Sequence, residues 1–113
     1  MRGPGPSPKP APLDMFCLLA TSVFALDRAM ALRWWSALQG SHQPTAKRVS
    51  RQFARYRGNV NNFAWWLWHE GPTAKHLVEA TECLVAEASL TRQEASAIEE
   101  GVLRATRPDG AWK

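Results

Sequence analysis

Lys47, Arg48, Arg51 and Arg55 recur at one-, three- and four-residue steps, so on a helix they stand side by side, roughly 5–6 Å apart. Cations in such a row suit the oxygens of successive backbone phosphates. Arg57, Asn59, Asn61 and Asn62 follow, adding hydrogen-bonding groups for phosphate or base edges. From Pro44 to Arg57 there is no Asp or Glu, so local ion pairing does not explain the cations. Lys47, Arg48, Arg51, Arg55 and Arg57 are therefore the candidate nucleic-acid-binding residues, with an acidic protein surface as the second partner they fit.

A different chemistry gathers in "NNFAWWLWHEG", residues 61–71. Plotted at 100° per residue, Phe63, Trp66 and Leu67 share one side of a helix over 62–70, and Trp65 and Trp68 lie round on the other. Tryptophan and arginine are the residues that most often anchor protein interfaces. Trp65 and Trp68 are thus candidate protein-binding residues, which would make the chain a docking adaptor or inhibitor. An internal echo bears on the same residues. "WWSALQGSHQPTAK" at 34–47 and "WWLWHEGPTAK" at 65–75 share a Trp pair, a Gly five positions after it, and Pro-Thr-Ala-Lys. The expectation is two similar helix–turn–helix corners, each ending a tryptophan helix on a left-handed Gly and starting the next helix on Pro. On that reading the Trp65–Trp66 pair packs in the core like Trp34 and Trp35. Trp68, with Ala37 in the equivalent place, then remains as the anchor.

Other site chemistry finds little support. His69 and His76 are seven apart across Gly71-Pro72, which is not zinc-protease spacing. His76, Glu79 and Cys83 share one side of a helix but lack a fourth ligand. No strained nucleophile turn or glycine-rich phosphate loop is present, and Glu99 and Glu100 are placed for pairing with Arg104. The expectation is a non-enzymatic chain with no metal and no cofactor. Cys17 and Cys83 read as buried free thiols of a reducing cytoplasm.

The elements that must position these groups are all helical, because no stretch alternates with period two. Leu13 to Gln39 reads as one uninterrupted helix between Pro12 and Gly40, with an apolar arc wide enough for a central position. Pro44 starts a second helix to about Arg57, burying Ala46, Val49, Phe53 and Tyr56. Asn61 or Asn62 caps the tryptophan helix. Pro72 starts a fourth, to about Ala88, with Leu77, Thr81, Leu84 and Ala88 inward. Thr91 and Glu94 form a capping box for a fifth, which buries Ala95, Ile98, Val102 and Ala105 and ends near Thr106. The fold class is all-α: a compact bundle of about five helices in a single domain over 13–107. Residues 1–12, with proline at every second position from Pro4, read as a disordered leader, and 108–113 as a frayed tail.

Totals bound the partners. Residues 1–60 hold nine Lys and Arg against two Asp, and residues 61–113 five against eight Asp and Glu. The first part is therefore basic and the second acidic, which suits an anionic partner and also association between copies, as a homo-oligomer or a self-assembling structural protein. "MFCLLATSVFAL", 15–26, is shorter than the roughly 20 residues that span a bilayer. Asp27 and Arg28 interrupt it before "AMA" could serve as a signal cleavage site. A cytoplasmic protein with no membrane partner is expected.

Overall fold

Pro12 does not end a leader; it is the first residue of helix α1, Pro12–Leu18. The computed structural model describes residues 11–113, and the rest of the proline-rich segment lies outside the described residues. Five further α-helices follow: α2 Arg28–Gly40, α3 Pro44–Ala54, α4 Phe63–His69, α5 Ala74–Ala86 and α6 Arg92–Arg104. No strands form among the described residues, and the all-α expectation holds. No helix among them is long and apolar enough to cross a membrane. Contributions from all six helices form a single apolar core.

The uninterrupted helix expected over 13–39 is broken. After α1 the chain widens into a π-turn, Leu19–Val23, and reaches Ala25 at φ +56°. The Leu26 amide donates to Ala20 O at 2.9 Å. Asp27 then caps α2, its Oδ1 accepting from the Met30 amide at 2.7 Å. The reason is non-local. In a straight helix Phe16 and Trp34 would lie roughly 27 Å apart along the axis, at 1.5 Å per residue. Folded back, their ring centroids are 4.8 Å apart, edge to face, and neither ring is exposed. A left-handed alanine costs about 1–2 kcal/mol, less than burying two large aromatic side chains returns.

The corners differ as well. Pro44 is the first residue of α3, with Gln43 before it as cap. Thr73, not Pro72, caps α5, and its side chain accepts from the His76 amide. One tetrapeptide therefore serves two different helix starts. Among the described residues Gly110 is the glycine with positive φ, so Gly40 and Gly71 are not the left-handed terminators expected. Gly71 is needed for close approach: a Cβ there would meet Leu67 Cα at 2.8 Å. Asn62 stands at the cap position of the tryptophan helix as expected, but its side chain makes no capping bond. The side chain that caps is Asn59, which accepts from the Asn62 amide at the start of a 3₁₀ turn, Val60–Asn62, that leads into α4.

Helix α5 packs against α3 on one side and α6 on the other, burying Leu77, Ala80, Thr81 and Leu84. It stops at Ala86, so Ala88 is exposed rather than inward. Ala88 sits just past the end at φ +61°, where glycine is usual. Ala88→Gly removes a Cβ clash and no packing. We expect it to stabilise the fold by about 0.5–1 kcal/mol, read as a raised midpoint in urea.

The capping box at Thr91 forms as expected: the Glu94 amide donates to Thr91 Oγ1 at 3.0 Å, and the Thr91 amide to Glu94 Oε1 at 2.9 Å. Ala95, Ile98, Val102 and Ala105 are all buried. Residues 108–113 are not frayed. The chain turns so that Arg107 N–H donates to Ala111 O at 2.7 Å and Lys113 N–H to Ala105 O at 3.0 Å. That hairpin buries Trp112, its ring centroid 5.5 Å from that of Phe24. A large aromatic at the end of a polar segment is enough to fold it back.

Between α5 and α6, Arg92 donates to both carboxylate oxygens of Glu82 at 2.7 Å. These bonds hold Glu82 down at about 2. Glu99 faces the same group with Oε2 buried and unpartnered; burial and the neighbouring Glu82 push its carboxyl up to about 7. The folded chain thus holds the Glu99 proton more tightly than the unfolded chain. Its contribution is complete below the ordinary carboxylate range and is lost as pH rises to about 7. Glu82 acts oppositely and below that window, losing its contribution as pH falls toward about 2. Glu99→Gln should therefore flatten part of the decline in melting temperature between about pH 5 and pH 7.5. Equal slopes for the two proteins would show that Glu99 does not carry the proton.

Candidate nucleic-acid interface

Helix α3 buries Ala46, Val49 and Phe53, which orients everything else on it. At about 100° per residue, Lys47, Arg48, Arg51 and Arg55 fill an arc of about 100° on the opposite side. All four are exposed, and so is Arg57 in the loop beyond. Among the described residues none of the five lies within ion-pair distance of a carboxylate. By contrast, Arg33 pairs with Glu94 at 3.1 Å, Arg92 with Glu82 at 2.7 Å and Lys75 with Glu79 at 4.0 Å. Arg51 and Arg55 also stand at the negative end of the α3 dipole, which favours cations there. Arg57 differs from the other four. Its Nη1 donates to Ala54 O at 2.8 Å and Tyr56 O at 3.1 Å, so it closes the carbonyl end of α3 as well as adding charge.

The chain leaves α3 through a short loop, and an aromatic cluster clamps α4 onto the end of that helix. Trp66 lies 5.5 Å from Phe53 and 5.0 Å from Tyr56, and Tyr56 lies 5.7 Å from Phe63, centroid to centroid. Tyr56 Oη donates to Asn59 O, and burial pushes its phenol up. Gly58 lets the loop cross that ring: a Cβ there would come within 2.7 Å of Tyr56 Oη. Asn59 is held as a cap, which takes it out of the hydrogen-bonding groups proposed for a ligand. Asn61 and Asn62 stay exposed.

The clamp decides where the tryptophans go. Phe63, Trp66 and Leu67 are buried, as the helical plot predicts, while Trp65 is 59 % and Trp68 49 % exposed. The core position that the internal echo gives Trp65 is wrong. In the first copy the first tryptophan of the pair, Trp34, is buried, and in the second copy the second, Trp66. The two exposed rings also do not share a site. Trp68 lies under the Arg107 guanidinium, 5.7 Å from it, beside a depression of about 190 Å³ lined also by Gly110 and Ala111. Trp65 borders a cleft of about 620 Å³ with Arg55, Arg57, Asn62 and Glu70, floored by Tyr56 and Trp66.

That cleft joins two sets of residues which the linear sequence presents as alternatives: the end of the basic face and one exposed tryptophan. The sequence signal of their proximity is weak: the connection over residues 55–59 limits how far the start of α4 can lie from α3, and the aromatic clamp does the rest. Elsewhere, His76 Nδ1 lies 3.0 Å from Thr73 Oγ1 at the start of α5. No three His, Cys, Asp or Glu side chains converge on a metal-sized site among the described residues. Cys17 is buried and Cys83 half-buried, both as free thiols. No known family matches the chain, and neither a curated protein nor a solved structure does.

Proposed function

We propose that the chain is a non-enzymatic helical binding protein that holds nucleic acid by its phosphates along α3. The observation supporting this is a contrast in pairing: Arg33 on α2, Lys75 on α5 and Arg92 on α6 are each engaged by a carboxylate, whereas among the described residues none of the row Lys47, Arg48, Arg51 and Arg55 is, and all four face solvent side by side. Unpaired like charges on one face repel each other in the free protein, and a polyanion relieves that repulsion while releasing its counterions. If four phosphates are neutralised, affinity falls roughly 50- to 150-fold between 50 and 200 mM salt. A salt titration of binding to mixed-sequence DNA or RNA reads this directly. No binding at low salt would dispose of the proposal.

The exposure of Trp65 and Trp68 favours a second reading, a docking adaptor or inhibitor that inserts these rings into a partner protein. A partner whose capture survives high salt but is lost with Trp68→Ala would favour that reading over the first.

A further inference from the structure

We propose that the cleft at the end of α3 seats an unpaired base, so that the polyanion along α3 is a single strand rather than a duplex. The inference rests on the phosphate reading of α3 and adds what the cleft contributes. Arg55 belongs to both features: it is the last cation of the row and a wall of the cleft. A strand following the row therefore arrives at Trp65. Its indole is 59 % exposed, and the His69 ring, which lies outside the cleft, backs it at 4.8 Å and 38°. A tryptophan held in that way is a stacking platform for a base of any identity. Asn62 and Glu70 border the same space and supply a base edge with an amide that donates and accepts and a carboxylate that accepts. The carboxylate disfavours a phosphate at that point, which leaves the phosphates to Arg51, Arg55 and Arg57. About 620 Å³ exceeds the lower end of small-ligand pockets, about 300 Å³. Bases inside a duplex are stacked on each other and present no free face to Trp65, so the cleft adds nothing to duplex binding.

The test measures binding of the whole chain to labelled pyrimidine strands of about twelve nucleotides, one DNA and one RNA, and to the corresponding duplex. Wild-type protein should bind a single strand about tenfold more tightly than the duplex, and the tighter strand identifies the sugar. Trp65→Ala should remove that preference and leave duplex affinity unchanged, while Trp65→Phe retains most of it. Because Trp65 is outside the core, both variants should melt as wild type does, and a circular-dichroism melt checks this. Duplex bound as tightly as single strand, or single-strand affinity unchanged in Trp65→Ala, overturns the inference and leaves the phosphate reading standing. Binding of neither form at low salt overturns both.

Discussion

Reversing two charges, Arg51→Glu with Arg55→Glu, should reduce nucleic-acid affinity at low salt by about 100-fold or more and at least halve the salt dependence. The size follows from geometry. Both guanidinium groups sit on the exposed face of α3 with no carboxylate partner, so each is free to face a phosphate, and each replacement adds a repulsion where an attraction stood. The same geometry limits the effect on folding, because no ion pair and no buried contact is lost. What remains is the helix dipole: a carboxylate in the last turn of α3 is unfavourable by about 0.3–1 kcal/mol. Arg51→Gln with Arg55→Gln separates the contributions, since it removes the attraction without the repulsion or the dipole penalty. Anisotropy titrations at two salt concentrations, beside a melt of each variant, read both quantities. Wild-type affinity in the Glu variant would show that the row does not carry binding.

Trp34→Ala should lower stability by about 3–5 kcal/mol, a large part of the 5–15 kcal/mol typical of a domain. Trp34, on α2, has no exposed surface and lies 4.8 Å from Phe16 on α1 and 6.0 Å from Phe24 at the end of the π-turn. Phe24 in turn packs against Trp112, so Trp34 joins α2 to α1 directly and to the C-terminal hairpin through Phe24. The matched control is Trp65→Ala, the same residue at the equivalent place in the repeated motif, expected to cost less than about 1 kcal/mol because its ring is mostly exposed. Urea unfolding of the two variants gives the difference. Similar losses at both positions would mean that the pairs are used alike, against the packing described above.

Sequence determined what depends on neighbours three or four residues away. The start of α3 at Pro44, the capping box at Thr91, the buried faces of α3 and α6 and the division of α4 into Phe63, Trp66, Leu67 against Trp65, Trp68 are all set at that range. The row of cations on α3 is the same kind of feature, a helical period read against a hydrophobic face. The break at Ala25 was not legible in this way. Alanine favours helix, and it takes a left-handed conformation here because Phe16 and Trp34, far apart in the chain, gain more by meeting. The two Trp pairs illustrate the same limit. The shared Gly and Pro-Thr-Ala-Lys give each pair the same expectation, but Phe16 and Phe24 enclose Trp34, whereas Phe53, Tyr56 and Phe63 enclose Trp66 and leave Trp65 outside. Trp112 is buried because Phe24 lies where the chain can turn back to reach it. The cleft that places Arg55 and Arg57 beside Trp65 arises from that same packing of α4 on α3. Local pattern can state which side of a helix is apolar; which apolar ring stays in water depends on what packs against it from elsewhere in the chain, and only the tertiary structure decides that.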